Sequence, residues 1–174
     1  AGSDGLVVLP YFAGERTPVN DPLACGVYFG LLQSHTRSHL YRAALEGVAY
    51  SIAQHVDILE EHGMEIRNFL CVGGGAQNHP WLQIIADVTG HTVKTAKVTI
   101  GSSYGDAMIA AIGAGRFSGY ADLAEYIESG SVFTPNMENH AAYKPYRSIY
   151  TRLYLATKPL MHELAARNGR GGTE

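Results

Sequence analysis

A short apolar run that ends at three consecutive glycines limits the fold of this chain more than any other stretch. Residues 69–72 read Phe-Leu-Cys-Val, residues 73–75 are all glycine, and Pro80 follows soon afterwards. An apolar run of this length, bounded by glycines, is typical of a buried strand. Proline is favoured in the first turn of a helix, where Asn78 or His79 can cap the free N–H groups. The stretch therefore predicts a strand that turns sharply into a helix beginning at Pro80.

The glycine turn at residues 73–75 leaves two interpretations open. Glycine has no Cβ, so its backbone N–H can approach a ligand closely and its φ can be positive without steric strain. The spacing matches neither G-x-G-x-x-G nor G-x-x-x-x-G-K-[ST], so it specifies neither a dinucleotide site nor a P-loop. From these residues alone, both a nucleotide-binding turn and a tight corner without a ligand remain open.

The composition favours a single soluble domain. The chain has 174 residues, of which 46% are hydrophobic, and this suits one domain with a substantial core. Its 13 Lys and Arg against 16 Asp and Glu give a net charge of -3 without a basic block, which argues against a nucleic acid partner. We find neither a signal peptide nor an apolar run of membrane-spanning length, so we expect a cytoplasmic protein without a membrane partner.

The cysteines and histidines do not have the spacing of a metal site. Cys25 and Cys71 lie far apart, and Cys71 within the apolar run is most simply a small buried hydrophobe. His35 and His39 could share a helix face, but no third ligand falls at a suitable spacing nearby. We therefore assign no metal ligand in this chain.

The hydrophobic pattern predicts a strand, a loop and a long helix before the glycine turn. Residues 6–10 predict a short strand and residues 13–22 a loop with prolines. Residues 38–62 predict a helix with Ser38 as its N-cap and Gly63 beyond its end. Its apolar stripe consists of Leu45, Val48, Ile52, Val56 and Leu59. The polar residues expected outside that stripe are Arg42, Glu46, Gln54, Asp57, Glu60 and Glu61.

A strand, a helix and a second strand surround the glycine turn. Residues 66–72 predict the first strand, residues 80–89 the helix with Gly90 at its end, and Val93 marks a strand that reaches Ala96. Strand, helix and strand in so short a stretch indicate a right-handed parallel crossover. The predicted fold class is therefore α/β.

The rest of the chain predicts helices. Residues 101–115 predict a core helix packed on the sheet, an interpretation that we prefer to a ligand-binding role. Residues 122–128 predict a short helix and residues 134–136 a turn. From Tyr143 onward we expect an amphipathic closing helix, rather than a tyrosine-lined binding surface, with a kink or a division at Pro159. Its apolar stripe consists of Tyr146, Ile149, Leu153, Leu160 and Leu164.

Two stretches before the glycine turn resemble the FGGY family of carbohydrate kinases. Residues 26–31, Gly-Val-Tyr-Phe-Gly-Leu, followed after a spacer by residues 39–40 and then 43–46, resemble the second signature of that family. Residues 14–18, together with 20–22, are similar to the loop that precedes this signature in xylulokinase-like members.

The glycine turn supplies a third motif. Residues 73–76 with residues 81–87 resemble the adenosine motif of the family and the helix after it. The resemblance implies the later part of the family's C-terminal domain: a partial actin-like ATPase (ribonuclease-H-like) domain, with a short parallel sheet flanked by helices and an all-helical C-terminal end. The residues that it places at the nucleotide are Gly73, Gly74, Gly75, Ala76 and Asn78, with His79 as the alternative to Asn78.

The resemblance also implies an activity. FGGY kinases use ATP and Mg²⁺ to phosphorylate a sugar hydroxyl, and the xylulokinase-like branch acts on a pentulose such as xylulose. In the family, the sugar-binding domain, the magnesium ligands and the catalytic aspartate lie upstream of the region that this chain resembles. Asp21, Asp87 and Asp106 lack the expected strand and glycine context, so we assign no catalytic residue. We expect the chain to supply part of the adenosine site for ATP or ADP and to be inactive alone.

Two other interpretations stay open: a non-catalytic nucleotide-binding or interaction module of actin-like fold, and a structural fragment that binds nothing. We expect residues 1–4 to be a tag remnant or linker, residues 5–167 to form the domain, and residues 168–174 to be a flexible tail. The strand at residues 66–72 would expose an unpaired edge and an apolar face, which favours a homo-oligomer.

Overall fold

Strands and helices alternate through the described part of the chain, which in this computed structural model comprises residues 1–98, 101–124 and 126–169. The strands are β1 (Val7–Leu9), β2 (Val27–Phe29), β3 (Asn68–Cys71), β4 (Thr92–Ala96) and β5 (Ser129–Phe133). The α-helices are α1 (Arg37–Glu61), α2 (His79–Thr89), α3 (Ser102–Gly113), α4 (Tyr120–Ala124) and α5 (Met137–Arg167). Short 3-10 turns occupy Ser3–Gly5 and Gly74–Gln77.

The strands form two small sheets. β1 and β2 pair antiparallel, with Val8 opposite Tyr28. The second sheet has the order β3-β4-β5, in which β3 runs parallel to β4 and β5 runs antiparallel to it. This confirms the predicted strand, helix and parallel strand, and Gly90, with a φ of 76°, ends α2 as predicted. β5 contradicts two predictions, the all-helical C-terminal end and the purely parallel sheet. Its sequence, Ser-Gly-Ser-Val-Phe, has little strand pattern of its own, and it forms a strand by pairing with β4.

One cluster of buried side chains joins both sheets to three helices. α1 and α5 both pack on α2 and on β1, and Leu82 and Val88 of α2 are fully buried between them. A Cβ at Gly47 of α1 would collide with the backbone carbonyl of Val8. Glycine at this position therefore lets α1 approach β1 closely.

The buried face of α1 differs from the predicted one. Glu46, predicted on the polar face, is fully buried, whereas Leu59 of the predicted apolar stripe is 37% exposed. The core face consists mainly of small residues and one aromatic residue: Ala43, Gly47, Ala49, Tyr50, Ala53 and Val56. The helix also begins earlier than predicted, because its N-cap is Thr36 and not Ser38. The Thr36 N–H donates to His39 Nδ1 at 3.1 Å.

Four groups donate hydrogen bonds to the buried carboxylate of Glu46. Arg42 Nε lies 2.8 Å and the Tyr143 hydroxyl 2.9 Å from Oε1. The Gly2 N–H reaches Oε1 at 3.1 Å, and the Ser3 hydroxyl donates to Oε2 at 2.9 Å. Gly2 and Ser3, which look like a linker in the sequence, thus contact the core and tie the start of the chain to α1.

α5 is a single helix of 31 residues. The sequence analysis predicted either a kink or a division at Pro159, and the structure shows no division. Pro159 lacks an N–H and so leaves one carbonyl of the helix without its usual donor, but it lies on the exposed side, where that carbonyl can bind water. Tyr143, Tyr150 and Tyr154 are buried, which confirms a closing helix rather than an exposed tyrosine surface. The predicted stripe is wrong at Leu160 and Leu164, which are 65% and 50% exposed.

α3 does not pack as a core helix, contrary to the prediction. The helix is present where the sequence predicts one, but none of its side chains is buried, and Ile109 is 57% exposed. Within the described residues, no other helix or strand packs extensively on α3. Helical periodicity shows that a segment can form a helix, but it does not show whether another element packs on that helix.

Two further predictions concern short segments near the end of the chain. The short helix predicted at 122–128 is α4, which begins at Tyr120; Glu125 lies outside the described residues, and β5 follows at Ser129. Of the predicted tail, Asn168 caps α5, and residues 170–174 lie outside the described residues. No helix within the described ranges is long and apolar enough to cross a membrane.

Candidate functional site

The predicted strand-to-helix turn is built by a glycine with positive φ and an asparagine cap. Gly73 follows β3 with a φ of 84°, a conformation that residues with a Cβ rarely adopt. After the 3-10 turn, Asn78 caps α2 by accepting the Trp81 N–H on its side-chain oxygen at 3.3 Å. α2 begins at His79, one residue before the predicted start at Pro80. The order of strand, glycine turn and helix therefore agrees with the sequence analysis, but the strand is not buried as predicted, because Leu70 is 61% and Val72 55% exposed.

The three glycines of the turn have different structural roles. Gly73 provides the positive φ, whereas a Cβ at Gly75 would lie 2.6 Å from the ring of Trp81. That indole is held in place because its Nε1 donates to the carbonyl of Leu45 at 3.1 Å. Gly74 has neither constraint: its φ is not positive, and a Cβ there would meet nothing within 4 Å. The backbone at Gly74 therefore faces open space that a ligand can enter.

Asn78 and His79 contact different neighbours. The Asn78 side-chain amide donates to the exposed Tyr41 hydroxyl of α1 at 3.3 Å. The His79 ring instead lies beside Phe133 of β5, with the ring centroids 5.4 Å apart. Asn78 is thus occupied as a cap and as a donor to α1, whereas His79 borders the space beside β5.

A polar cleft of about 400 Å³ lies between the turn and the β4–β5 pair. The residues that line it are Ala76, Gln77, His79, Thr95, Ala96, Lys97, Ser129, Gly130 and Ser131. Thr95 Oγ1 accepts the Ser131 N–H at 2.9 Å, and Lys97 pairs with Glu128 at 2.5 Å. The sequence predicts the β4 side of this cleft, up to Ala96, but not the β5 side at Ser129–Phe133.

The glycine turn also adjoins the N-terminus of α3. A Cβ at Gly101, the N-cap of α3, would lie 3.7 Å from the Cα of Gly73. The first N–H groups of a helix have no intrahelical acceptor and carry a partial positive charge. The open backbone of the turn and the start of α3 therefore lie side by side, and both favour an electron-rich ligand.

The aspartates considered in the sequence analysis are not grouped at this turn. Asp21 is buried and binds His162 and Tyr154, each at 2.8 Å. Asp87 is also buried, and its carboxylate accepts from the Asn136 N–H and the Asn139 side-chain amide, each at 2.9 Å. Both carboxylates therefore hold loops and helices together. Asp106 lies exposed on α3.

The described residues contain no group of three or more His, Cys, Asp or Glu side chains that could hold a metal ion. The rings of His35 and His39 lie 5.4 Å apart, and His39 Nε2 contacts the Asp4 carboxylate at 3.1 Å. Cys71, at the end of β3, is half-buried, and burial raises the pKa of its thiol. A raised pKa keeps the thiol protonated, as suits a packing residue.

Comparisons with known proteins agree on one family. The model of the FGGY family of carbohydrate kinases, C-terminal domain, matches residues 1–114. The xylulose kinase of Staphylococcus epidermidis is 38% identical over 164 residues, which are 94% of this chain and 33% of that protein. The glycerol kinase of Rhodopirellula baltica is 35% identical over 136 residues, covering 78% of this chain and 25% of that protein.

A solved structure extends the agreement to the fold. The xylulose kinase from Rhodospirillum rubrum matches with a TM-score of 0.78 and 38% identity, over 93% of this chain and 32% of that one. The chain spans about a third of the length of the curated relatives it matches. The match confirms the predicted fold class, an α/β part of an actin-like ATPase domain. The motifs, the fold and the family model thus lead to one conclusion: the chain belongs to the FGGY family of carbohydrate kinases, a family of phosphotransferases, and corresponds to their C-terminal domain.

Proposed function

We propose that this chain is the nucleotide-binding, C-terminal part of an ATP-dependent sugar kinase. The complete enzyme would transfer the γ-phosphoryl group of ATP to a sugar hydroxyl in the cytoplasm. A pentulose such as xylulose is the proposed acceptor, because the xylulose kinases of two bacteria are each 38% identical to the chain. The glycerol kinase relative makes glycerol the competing acceptor to test.

The observation that carries the nucleotide proposal is the open backbone at Gly74. Gly73 is required by its positive φ and Gly75 by its packing against Trp81, but neither reason applies at Gly74. A glycine that the fold itself does not require is explained if a ligand must approach the backbone there. We therefore propose that the adenosine of ATP or ADP lies against residues 73–76, with Asn78 or His79 at its edge.

The magnesium ion of such a reaction does not fit the described residues of this chain. They contain no cluster of potential metal ligands, and the carboxylates of Asp21 and Asp87 are occupied by hydrogen bonds. The chain's own contribution would thus be to bind and orient the nucleotide. Phosphoryl transfer needs a positioned acceptor and charge stabilisation at the phosphates, so we expect the chain alone to be inactive.

Replacing Gly74 by valine should abolish nucleotide binding without unfolding the chain. The added side chain would occupy the open space over the turn, where the fold offers no collision. We expect saturable binding of ADP to the chain by calorimetry, and at least a tenfold loss of affinity in Gly74→Val.

The matched control is Gly119→Val, because Gly119 likewise has no atom within 4 Å of an added Cβ and no positive φ. It should bind ADP like the unsubstituted chain. Gly75→Val is a poor control, because its Cβ would collide with Trp81. Equal ADP affinity in Gly74→Val and Gly119→Val would contradict a nucleotide site at this turn.

A kinase assay separates the enzyme from a non-catalytic nucleotide-binding module. A polypeptide extended upstream to the length of the relatives should convert ATP to ADP with xylulose, and more slowly with glycerol. The 174-residue chain alone should release no ADP with either acceptor. If the extended polypeptide bound ATP but phosphorylated no sugar or polyol, the non-catalytic module would replace the kinase proposal.

We further propose that the chain forms a homo-oligomer through β3. Within the described residues β3 pairs with β4 alone, and the apolar residues Leu70 in the strand and Val72 just after it are 61% and 55% exposed. Unpaired edges with apolar side chains favour pairing between chains. Light scattering should detect a dimer that Leu70→Lys weakens and that Leu160→Lys, at a similarly exposed position on α5, does not weaken. A monomer at high concentration would contradict this proposal.

A further inference from the structure

Two hydrogen bonds tie the end of the glycine turn and the first turn of α2 to α1. The Asn78 side-chain amide donates to the Tyr41 hydroxyl at 3.3 Å, and Trp81 Nε1 donates to the Leu45 carbonyl at 3.1 Å. Residues four apart in a helix lie on the same face, about one turn from each other. One face of α1 therefore holds both the cap of α2 and the indole that packs at Gly75.

The Asn78 side-chain amide is held at both its oxygen and its nitrogen. The oxygen accepts the Trp81 N–H as the cap of α2, and the nitrogen donates to the Tyr41 hydroxyl. An amide nitrogen carries two hydrogens. The Tyr41 hydroxyl accepts one of them, and the other has no acceptor among the residues that the structure describes. Asn78, which is half-buried, thus offers one oriented N–H next to the glycine turn.

Tyr41 contributes little to the core of the protein. Its side chain is 62% exposed, and within the described residues its hydroxyl has no hydrogen-bond partner other than Asn78. Removing the hydroxyl from so exposed a residue usually changes stability little. An amide held only by its oxygen can still turn about that contact, whereas a second bond at its nitrogen fixes the amide plane. The effect of the Tyr41 hydroxyl is therefore on the orientation of Asn78.

We propose that Tyr41 is a positioning residue of the nucleotide site and acts through Asn78. This inference rests on the proposed function, in which the adenosine lies against residues 73–76. The remaining Asn78 N–H would donate to a ring nitrogen of the purine, which is an acceptor. The Tyr41 hydroxyl keeps that N–H in place before the ligand arrives, so binding costs less side-chain freedom. The assignment selects Asn78 over His79, whose ring contacts Phe133 of β5 instead.

The first test is Tyr41→Phe, which removes only the hydroxyl. Calorimetric titration with adenosine and with ADP should show a loss of affinity of about threefold to tenfold, the range for a single hydrogen bond. The midpoint of thermal unfolding should stay unchanged. The matched control is Tyr120→Phe, at a tyrosine of α4 that is 75% exposed, and it should bind both ligands like the unsubstituted chain.

A second variant tests whether Tyr41 acts through Asn78. Asn78→Asp keeps a side-chain oxygen for the cap, since aspartate is as favoured there as asparagine, but it has no N–H to donate. Adenosine is the ligand for this comparison, because it carries no charge for the new carboxylate to repel. Asn78→Asp should weaken adenosine binding. Adding Tyr41→Phe to it should weaken binding no further, because the effects of directly coupled residues are not additive.

The outcomes separate this inference from the nucleotide site itself. Unchanged adenosine affinity in Tyr41→Phe would overturn the role of Tyr41 and leave the nucleotide site in place. Losses of affinity that multiply in the double variant would do the same, because Tyr41 would then act independently of Asn78. If the unsubstituted chain bound neither adenosine nor ADP, the proposed function and this inference would both be wrong.

Discussion

Replacing Glu46 by alanine is expected to lower the free energy of unfolding by about 3–5 kcal/mol, the typical cost of leaving a buried ion-pair partner uncompensated. The carboxylate is fully buried and accepts from Arg42 Nε, the Tyr143 hydroxyl, the Gly2 N–H and the Ser3 hydroxyl. Alanine would leave all four donors without this acceptor. Urea denaturation followed by circular dichroism measures the loss.

Two further variants make this prediction specific. Glu46→Gln keeps an acceptor oxygen near Arg42 and Tyr143, so it should cost less than Glu46→Ala. Glu65→Ala removes an exposed glutamate whose partner is Arg67 at 3.1 Å, and exposed pairs contribute only about 0–1 kcal/mol. If Glu46→Ala were no more destabilising than Glu65→Ala, the buried network would not hold α1, α5 and the start of the chain together.

The second large effect concerns the acid stability that Asp21 provides. Asp21 is 5% exposed and accepts hydrogen bonds from His162, Tyr154 and the Leu23 N–H. Burial alone would raise the pKa of this carboxyl, but the hydrogen bonds from these three groups outweigh burial and lower the pKa below its usual value. The folded protein therefore favours the charged carboxylate more strongly than the unfolded chain does.

The sign of the pH dependence follows from that lowered pKa. As the pH falls, the unfolded chain binds the proton first, so acid shifts the equilibrium towards unfolding. The stabilisation by Asp21 is complete at neutral pH, and it is lost as the pH falls from about 4 through the lower pKa of the folded state.

Asp21→Asn tests this dependence, because asparagine cannot ionise. At pH 7 the variant should lose roughly 1–3 kcal/mol, since hydrogen bonds to a charged group contribute about that much. Its stability should then fall less steeply than that of the unsubstituted chain between about pH 5 and 3. Asp106→Asn, an exposed position on α3, should follow the unsubstituted chain. Parallel stability curves for Asp21→Asn and the unsubstituted chain would contradict the assignment.

The turn itself could be predicted because local residues determine it. Four residues determine it through the backbone next to them: Gly73 and Gly90 by a positive φ, Asn78 by capping, and Pro80 by its missing N–H. The structure shows each of these residues in its predicted role. The residues that contact a nucleotide stay a prediction, although the structure separates Gly74 from Gly73 by φ and from Gly75 by the space around an added Cβ. That distinction depends on the position of Trp81, which no local pattern reveals.

The errors of the sequence analysis share a physical cause, which is contact between distant parts of the chain. Glu46 was expected on the polar face of α1, because a buried charge is unfavourable without partners. Its burial is compensated by four hydrogen bonds, whose donors are Arg42, Tyr143, Gly2 and Ser3. β5 becomes a strand through its pairing with β4, and so forms a wall of the cleft beside the glycine turn.

The sequence by itself determined the α/β class, the family, and the strand, turn and helix around the glycines. These features depend on periodicity, turn residues and motifs, which involve only residues close together in the chain. Only the tertiary structure decided which face of α1 is buried, that α3 stays exposed, and that an added Cβ would meet Trp81 at Gly75 but nothing at Gly74. Those features depend on which surfaces meet. Hydrophobic burial and hydrogen bonding stabilise contacts between residues far apart in the chain, and a local sequence pattern does not show which residues will be in contact.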